Sequence, residues 1–194
     1  MRENGLFGKP RRKRRTMTYS DPSGLICPNL LQQQFHVPEP NRAGVSDLTY
    51  IPTDRVWLYL CVVLDLFSRK IVGWSMQNSL SSTLTVQTLK MANEQRRPER
   101  GLIFHSDNAL FQTQLSRAGF HPSMGRTGNC YDKAVAESFF GSLKIEEVND
   151  NRYRTQESAK NAIFAYIEGF HNRTRRHSFL NNLSPEEFGH AQFT

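Results

Sequence analysis

Residues 45–76 read VSDLTYIPTDRVWLYLCVVLDLFSRKIVGWSM and contain three apolar runs rich in β-branched and aromatic residues. Such runs are typical of β-strands, which we predict at 45–51, 56–65 and 70–76. The polar turn Asp65-Leu66-Phe67-Ser68-Arg69-Lys70 separates the second run from the third. It predicts that these two strands pair as an antiparallel hairpin.

Helical patterns alternate with short apolar segments after this hairpin. Helices that lie between strands favour parallel pairing, so the later strands should run parallel in the same sheet. The order predicts an α/β fold with a mixed sheet, three antiparallel strands followed by parallel strands, flanked by helices. The further elements that we predict are helix 82–95, strand 102–106, helix 109–117, an extended segment near 120–124, and helices 132–147 and 155–171.

Two helices are predicted to close the fold. A last short helix is indicated by Ser184-Pro185-Glu186-Glu187, which offers a capping serine, a first-turn proline and a reciprocal glutamate. The helix before it carries an apolar stripe at helical spacing and should pack on the core. The residues of that stripe are Ala159, Ile163, Tyr166, Ile167 and Phe170.

Glu137 lies in a segment that is otherwise built for packing. At 3.6 residues per turn, Glu137, Gly141 and Lys144 share one side of the predicted helix. A polar stripe of this kind is more often a solvated face than a catalytic one, so Glu137 alone does not indicate a site. The opposite, apolar side consists of Val135, Phe139, Phe140 and Leu143.

Two aspartates change this interpretation. Asp47 lies in a strand-like run, where an acid is disfavoured and would share a face with Val45 and Ile51. Asp107 closes a short apolar run, at the position where open α/β sheets bind ligands. The alternatives are structural: Asp47 can accept hydrogen bonds from backbone or from Arg69, and Asp107 can cap the following helix.

The combination of three acids favours chemistry. Three carboxylates on separate elements, without a zinc ligand set, suit hard cations such as Mg²⁺. A pair of such ions clamps the attacking and leaving oxygens in phosphoryl transfer. The sequence therefore indicates a phosphodiester as the substrate.

Several motifs together resemble the integrase core of bacterial insertion-sequence transposases, the DDE family with a core of the retroviral-integrase type. They are SDLTYIPT at 46–53, LDLFSRKIVGW at 64–74, His105-Ser106-Asp107, the helix of Glu137, NRTRRHS at 172–178 and LSPEEF at 183–188. The resemblance implies a ribonuclease-H-like fold. It also implies that Asp47, Asp107 and Glu137 form a catalytic triad that holds two Mg²⁺ (or Mn²⁺) ions, and that Lys144 contacts DNA.

The implied function is cleavage and strand transfer of an insertion sequence. The partners would be DNA, as element ends and target, further copies of the chain as a homo-oligomer on DNA, and the product of an upstream reading frame. Asn129 is expected to help place the DNA end. The alternatives are a truncated remnant that only binds DNA and a metal-dependent ribonuclease of the same fold.

Departures from the family pattern are visible in the sequence, among them Gly44 where the family usually has Trp three residues before the first aspartate. Residues 108–136, between the second and third acids, are fewer than is usual in the family. The upstream helix-turn-helix region of the family does not precede the core in this chain. We therefore expect an N-terminally truncated transposase with a shortened loop after Asp107.

The chain has a net charge of +7 over 194 residues, and seven Lys or Arg against one Glu lie in residues 1–15. A basic arm of this kind binds nucleic acid phosphates by releasing counterions, although a solubilising tail is the alternative. We predict a basic arm and linker at 1–40 and an integrase catalytic core with a C-terminal helical extension at 41–194. The predicted DNA-binding residues are Arg11, Arg12, Lys13, Arg14 and Arg15 in the arm and Arg173, Arg175 and Arg176 in a second cluster, for which solvated charge is the alternative.

The remaining composition excludes other classes of protein. Cys27, Cys61 and Cys130 are too scattered for a zinc or disulfide framework. The most apolar run, Val56 to Phe67, is too short to span a bilayer and contains an aspartate. We therefore expect a cytoplasmic, bacterial protein without a membrane partner.

Overall fold

Five strands form one mixed sheet in the computed structural model, which describes residues 27–106, 111, 115, 118–124 and 133–192. The strands are β1 (Ala43–Ile51), β2 (Leu58–Asp65), β3 (Ile71–Gln77), β4 (Ile103–His105) and β5 (His121–Ser123). The helices include α1 (Ser82–Arg96), α2 (Ala134–Leu143), α3 (Gln156–Phe164) and α4 (Pro185–Ala191), and Ser178–Leu180 forms a 3₁₀ turn.

The strand order is β3-β2-β1-β4-β5. β1 pairs antiparallel with β2, and β2 pairs antiparallel with β3. β4 pairs parallel with β1 on its other side, and β5 pairs parallel with β4. The predicted mixed sheet and its hairpin are therefore confirmed. The predicted helix 109–117 lies almost entirely outside the described residues.

Both faces of the sheet are covered, and β1 is the middle strand of the five. One core cluster joins Val45 and Ile51 of β1 to Phe140 of α2 and Ile163 of α3. The other cluster packs α1, through residues such as Leu84, against the opposite face. Because side chains alternate along a strand, Asp47 points to the same face as Val45 and Ile51, beneath α2.

β3 and α1 approach each other closely at one residue. A Cβ atom on Gly73 would lie 2.5 Å from the carbonyl oxygen of Thr88 and 2.7 Å from Cβ of Ala92. No side chain fits at that separation, so glycine sets the distance between this helix and the sheet.

Two helices change from α to π geometry. α2 continues as the π-helix Lys144–Val148, and α3 continues as Ala165–His171. In the second case the predicted stripe is correct up to Ile167, but Phe170 is 41% exposed and His171 is buried instead. A π turn contains more residues than an α turn, so the buried face reaches one residue further along the chain.

The packing side of α2 also differs slightly from the prediction. Ala136 is fully buried beside Phe139, Phe140 and Leu143, whereas Val135 is only partly buried at the edge of the core. The predicted helix start near Ser184 is confirmed, because its hydroxyl accepts the Glu187 backbone N–H at 3.3 Å and Pro185 opens α4.

Side chains from both ends of the described chain hold the sheet. The Asn172 amide accepts the Ile71 N–H at 2.9 Å and donates to the Ile71 carbonyl at 3.0 Å, on the outer edge of β3. Leu31 is buried in the core, and its N–H and that of Leu30 donate to Ser123 Oγ. Residues that precede β1 and residues that follow α3 therefore both contribute hydrogen bonds to the sheet.

Candidate active site

Asp47 lies where β1 loses its parallel neighbour. β4 pairs with β1 only as far as His105, which lies opposite Val45. Asp47 follows two residues later, with its side chain 21% exposed. It therefore lies beside the carboxyl end of β4, which is the edge where open sheets of this type receive ligands.

A lysine at the start of α2 contacts this aspartate. Lys133 Nζ lies 3.4 Å from Asp47 Oδ1, and its own side chain is 20% exposed. Lys133 precedes Glu137 by four residues, so the ion pair brings the first turn of α2 to Asp47. Lys133 was not among the predicted site residues, although its spacing to Glu137 places both on one stripe.

Arg69 is not the partner of Asp47. Its guanidinium donates to the Phe35 carbonyl at 3.0 Å and lies 3.7 Å above the ring of Phe179. Arg69 has a left-handed backbone, with φ of 59°, in the turn between β2 and β3. Burial, more than Asp65 nearby can offset, lowers the pKa of Arg69 to about 10.

Glu137 stands in the first turn of α2, which packs against β1. Its side chain is half-buried, and it makes no hydrogen bond or ion pair with the described residues. An acid is favoured at a helix start by the helix dipole, so the position needs no neutralising side chain. Glu137 therefore offers two carboxylate oxygens on the helix that also delivers Lys133.

Several of the other predicted site residues lie outside the part of the chain that the structure describes. Asp107 and Asn129 lie outside the described residues, as do Arg11, Arg12, Lys13, Arg14 and Arg15. Among the residues that are described, no group of three or more His, Cys, Asp or Glu is arranged to hold a metal ion. The donors that are present are carboxylate oxygens alone, which fits a hard cation such as Mg²⁺ and not zinc.

Lys144 lies at the same end of β1. Its Nζ is 4.8 Å from the ring centroid of Tyr50, which is three residues beyond Asp47. The Tyr50 ring is 55% exposed and meets the ring of Trp57 edge to face at 4.9 Å. A cation and two accessible aromatic rings therefore lie together near the carboxyl end of β1.

The C-terminal arginines differ in how far they are engaged. Arg175 contacts Glu146 through two nitrogens, Nε at 2.9 Å and the terminal nitrogen at 2.8 Å. Burial alone would raise the pKa of Glu146, but hydrogen bonds from Arg175 and Tyr166 outweigh it and lower that pKa below its ordinary value. Arg173 pairs with Glu186 at 3.4 Å. Arg176 is exposed and lines a cavity of about 570 Å³ beside α2.

None of the helices in the described ranges is both long enough and apolar enough to cross a bilayer. The two cysteines in those ranges, Cys27 and Cys61, are free thiols. Burial raises the pKa of the Cys61 thiol to about 11.

Comparison with solved structures identifies the fold. The chain is similar to a chain of the simian T-cell lymphotropic virus intasome in complex with PP2A regulatory subunit B56 gamma, with a TM-score of 0.64 and 14% identity over 88% of this chain and 61% of that one. It is also similar to the HTLV-2 integrase catalytic core domain in complex with magnesium (trimeric form), with a TM-score of 0.58 and 15% identity over 78% of this chain and 97% of that one. The predicted ribonuclease-H-like fold is thus confirmed.

Comparison with other sequences identifies the family. Two models of the integrase core domain match residues 37–130 and 137–193. The chain is 40% identical to the transposase InsF for insertion sequence IS3A of Escherichia coli K12, over 97% of this chain and 67% of that protein. It is 41% identical to the uncharacterized 31 kDa protein of insertion element IS600 of Shigella sonnei, over 96% of this chain and 71% of that protein. The chain spans about two thirds of these relatives and belongs to the family of insertion-sequence transposases with an integrase core domain.

Proposed function

We propose that this chain catalyses metal-dependent cleavage and strand transfer of insertion-sequence DNA. The observation that carries the proposal is the contact between Lys133 and Asp47, which joins the start of the Glu137 helix to the central strand. Two acids from distant parts of the sequence thereby face one edge of the sheet. Membership of the transposase family gives this arrangement its reaction class.

In this proposal Asp47, Asp107 and Glu137 hold two Mg²⁺ (or Mn²⁺) ions. The chain of β4 leaves the sheet beside Asp47, two residues before Asp107, which supports a position for Asp107 near the other acids. The HTLV-2 integrase core of similar fold was solved with magnesium. Bound ions of this kind would supply Lewis acidity and lower the pKa of a bound water.

The reaction consists of two in-line displacements at phosphorus. In cleavage, a water oxygen bonds to the phosphorus at the element end, loses its proton, and the 3′ oxygen leaves as a hydroxyl. In strand transfer, that 3′ oxygen loses its proton and bonds to a target phosphorus, and the target 3′ oxygen leaves as a hydroxyl. The carboxylates hold and orient the reacting groups, and no covalent bond to the protein forms.

DNA would be bound by cations around this edge. Lys144 contacts Tyr50 near the end of β1 and follows Glu137 by seven residues, which supports a contact with a DNA phosphate. The proposal assigns further DNA contacts to Asn129, to the arm residues Arg11, Arg12, Lys13, Arg14 and Arg15, and to Arg173, Arg175 and Arg176. It also assigns residues 1–40 to a basic arm and linker, and residues 41–194 to the catalytic core with its C-terminal extension.

The proposed assembly is a homo-oligomer that joins element ends and target DNA in the bacterial cytoplasm. The similar viral structures include a trimeric core domain and an intasome. The product of an upstream reading frame is a further proposed partner.

The test is strand transfer of a pre-cleaved element-end oligonucleotide in Mg²⁺ or Mn²⁺. Glu137→Gln should reduce product by more than about a hundredfold, because even residues that only support a metal ligand contribute 10- to 100-fold. Glu157→Gln is the matched control, since it removes the same charge from the first turn of α3.

Equal activity of native chain and Glu137→Gln would refute the triad. Salt-sensitive DNA binding by a native chain that forms no product would favour the DNA-binding remnant. A loop inserted after Asp107 that restores product would then attribute the loss to the shortened segment.

A further inference from the structure

Lys133 holds the position at Asp47 where a cation is required. The two side chains are each about four-fifths shielded from solvent, and their charged atoms are 3.4 Å apart. Shielded pairs are less screened by water and salt than pairs on an open surface. The ammonium therefore neutralises Asp47 in the free chain.

A metal ion on Asp47 would conflict with this ammonium. Two cations held on one carboxylate repel each other, and the repulsion is stronger where solvent is partly excluded. The lysine has a flexible four-carbon side chain and so is able to leave Asp47 without moving the backbone. The backbone itself is fixed, because Ala136 and Phe140 anchor α2 in the core.

We propose that Lys133 is an internal counter-ion of Asp47 that exchanges partners when metal and DNA bind. Metal takes the Asp47 carboxylate, and the released ammonium binds a phosphate of the DNA end. The inference rests on the proposed function, because it requires that Asp47 binds metal and that the reacting phosphate lies beside it.

The phosphate is the partner that the chemistry favours. A released lysine ammonium is a compact point charge with three donors, which binds phosphate oxygens readily. Its anchored backbone keeps it within one side-chain length of Asp47. A phosphodiester that is held for reaction at Asp47 must lie within that same radius.

The first measurement is Mn²⁺ binding without DNA, monitored through the electron paramagnetic resonance signal of the free ion. We expect Lys133→Met to bind Mn²⁺ about 3- to 10-fold more tightly than the native chain, because the competing ammonium is gone. Lys133→Arg retains a competing cation and should bind Mn²⁺ close to the native affinity. Asp47→Asn should lose this binding, and thermal unfolding of every variant shows whether it is folded.

The second measurement is the salt dependence of binding to a pre-cleaved element-end duplex. In Mn²⁺, Lys133→Met should show a slope of log K against log salt that is smaller by about one than that of the native chain, because one phosphate contact is lost. In EDTA the two slopes should be equal, because the ammonium then stays on Asp47. A merely misfolded variant would weaken both metal and DNA binding, whereas the exchange predicts changes of opposite sign.

Three outcomes would overturn the exchange. If Lys133→Met binds Mn²⁺ no more tightly than the native chain, Lys133 does not compete with metal for Asp47. The proposed function survives this outcome if Asp47→Asn still loses metal binding. If Lys133→Met binds Mn²⁺ more tightly but its salt slope in Mn²⁺ equals that of the native chain, the proposed transfer of Lys133 to a phosphate is wrong. A folded native chain that binds no Mn²⁺ refutes both the exchange and the proposed metal site.

Discussion

Asp47 and Asp65 lie on adjacent central strands, and their surroundings differ. Asp65, at the end of β2, is 4% exposed and accepts from the backbone N–H groups of Asn41 and Ser68, at 3.3 and 3.0 Å. It also accepts the Ser68 hydroxyl at 2.6 Å and lies 3.6 Å from Arg96. Asp47 is more exposed and, within the described ranges, contacts one lysine through one oxygen.

The difference separates a structural acid from one that is available to a ligand. Three of the four groups at Asp65 are backbone N–H groups of Asn41 and Ser68 and the short Ser68 side chain, which are fixed in place, and Arg96 adds a longer side chain from α1. The group at Asp47 is the end of a flexible side chain from another element. The number and kind of groups bound to each carboxylate therefore distinguish the two roles, although both acids lie in strands.

Asp47→Asn should have the largest effect, and it should fall on activity. We expect strand transfer to fall by more than about a hundredfold, because a direct metal ligand contributes more than the residues that support it. The free energy of unfolding should change by no more than about 1 kcal/mol, since only one partly exposed pair is lost. Strand-transfer assays and urea unfolding measure the two. Near-native activity of Asp47→Asn would show that Asp47, like Asp65, has a structural role only.

Asp65→Asn should reverse this pattern. The free energy of unfolding should fall by about 2–3 kcal/mol, because buried donors of Ser68 lose an acceptor and Arg96 loses its counter-charge. Urea unfolding measures the loss, and activity per folded molecule should be retained. Asp54→Asn is a matched control at the exposed pair with Arg152, where we expect about 0.5 kcal/mol or less. Equal effects of the two variants would contradict our assignment of Asp65.

Glu146 provides a third acid, held by Arg175 and Tyr166, and its role should appear as a pH dependence. Its pKa is lowered in the folded chain, so its contribution to stability is present above the ordinary glutamate pKa and is lost as pH falls through the folded pKa. Glu146→Gln should cost about 1 kcal/mol at neutral pH. Unfolding followed over the acid range should show the native chain and the variant converging. A constant difference would show that shape, not charge, matters at this residue.

Arg176→Ala should have the smallest effect on stability and should test the same distinction among cations. Arg176 is exposed, so the free energy of unfolding should change by about 0.5 kcal/mol or less. If it contacts one DNA phosphate, the salt slope of DNA binding should fall by about one. Arg175→Ala is the informative partner, because Arg175 is bound to Glu146 and should lose stability as well. An unchanged salt slope in Arg176→Ala would remove it from the proposed DNA surface.

The sheet could be predicted because its signals are local. Alternating apolar runs and the turn at 65–70 specify the hairpin, and helices between later strands specify parallel pairing. The start of α4 was predictable for the same reason, since a capping serine acts within its own turn. The burial of Phe170 was predicted wrongly because α periodicity does not anticipate a π turn.

The site was only partly predictable because its contacts are not local. Asp47 and Glu137 were identified as acids in unusual positions, but the pair between Asp47 and Lys133 joins residues 86 positions apart. The alternative partner, Arg69, is nearer in sequence, yet its guanidinium donates to the Phe35 carbonyl instead. Residue type therefore predicted which acids belong to the candidate site, and only the tertiary packing identified the cation at Asp47.

The amide of Asn172 acts on β3 as a neighbouring strand would. It fills one donor and one acceptor of Ile71 on the outermost strand, where backbone groups would otherwise remain open to a strand of another molecule. The segment that follows the last π-helix thus covers the start of this edge strand. We therefore expect that removing it would open this end of the edge strand to pairing between molecules.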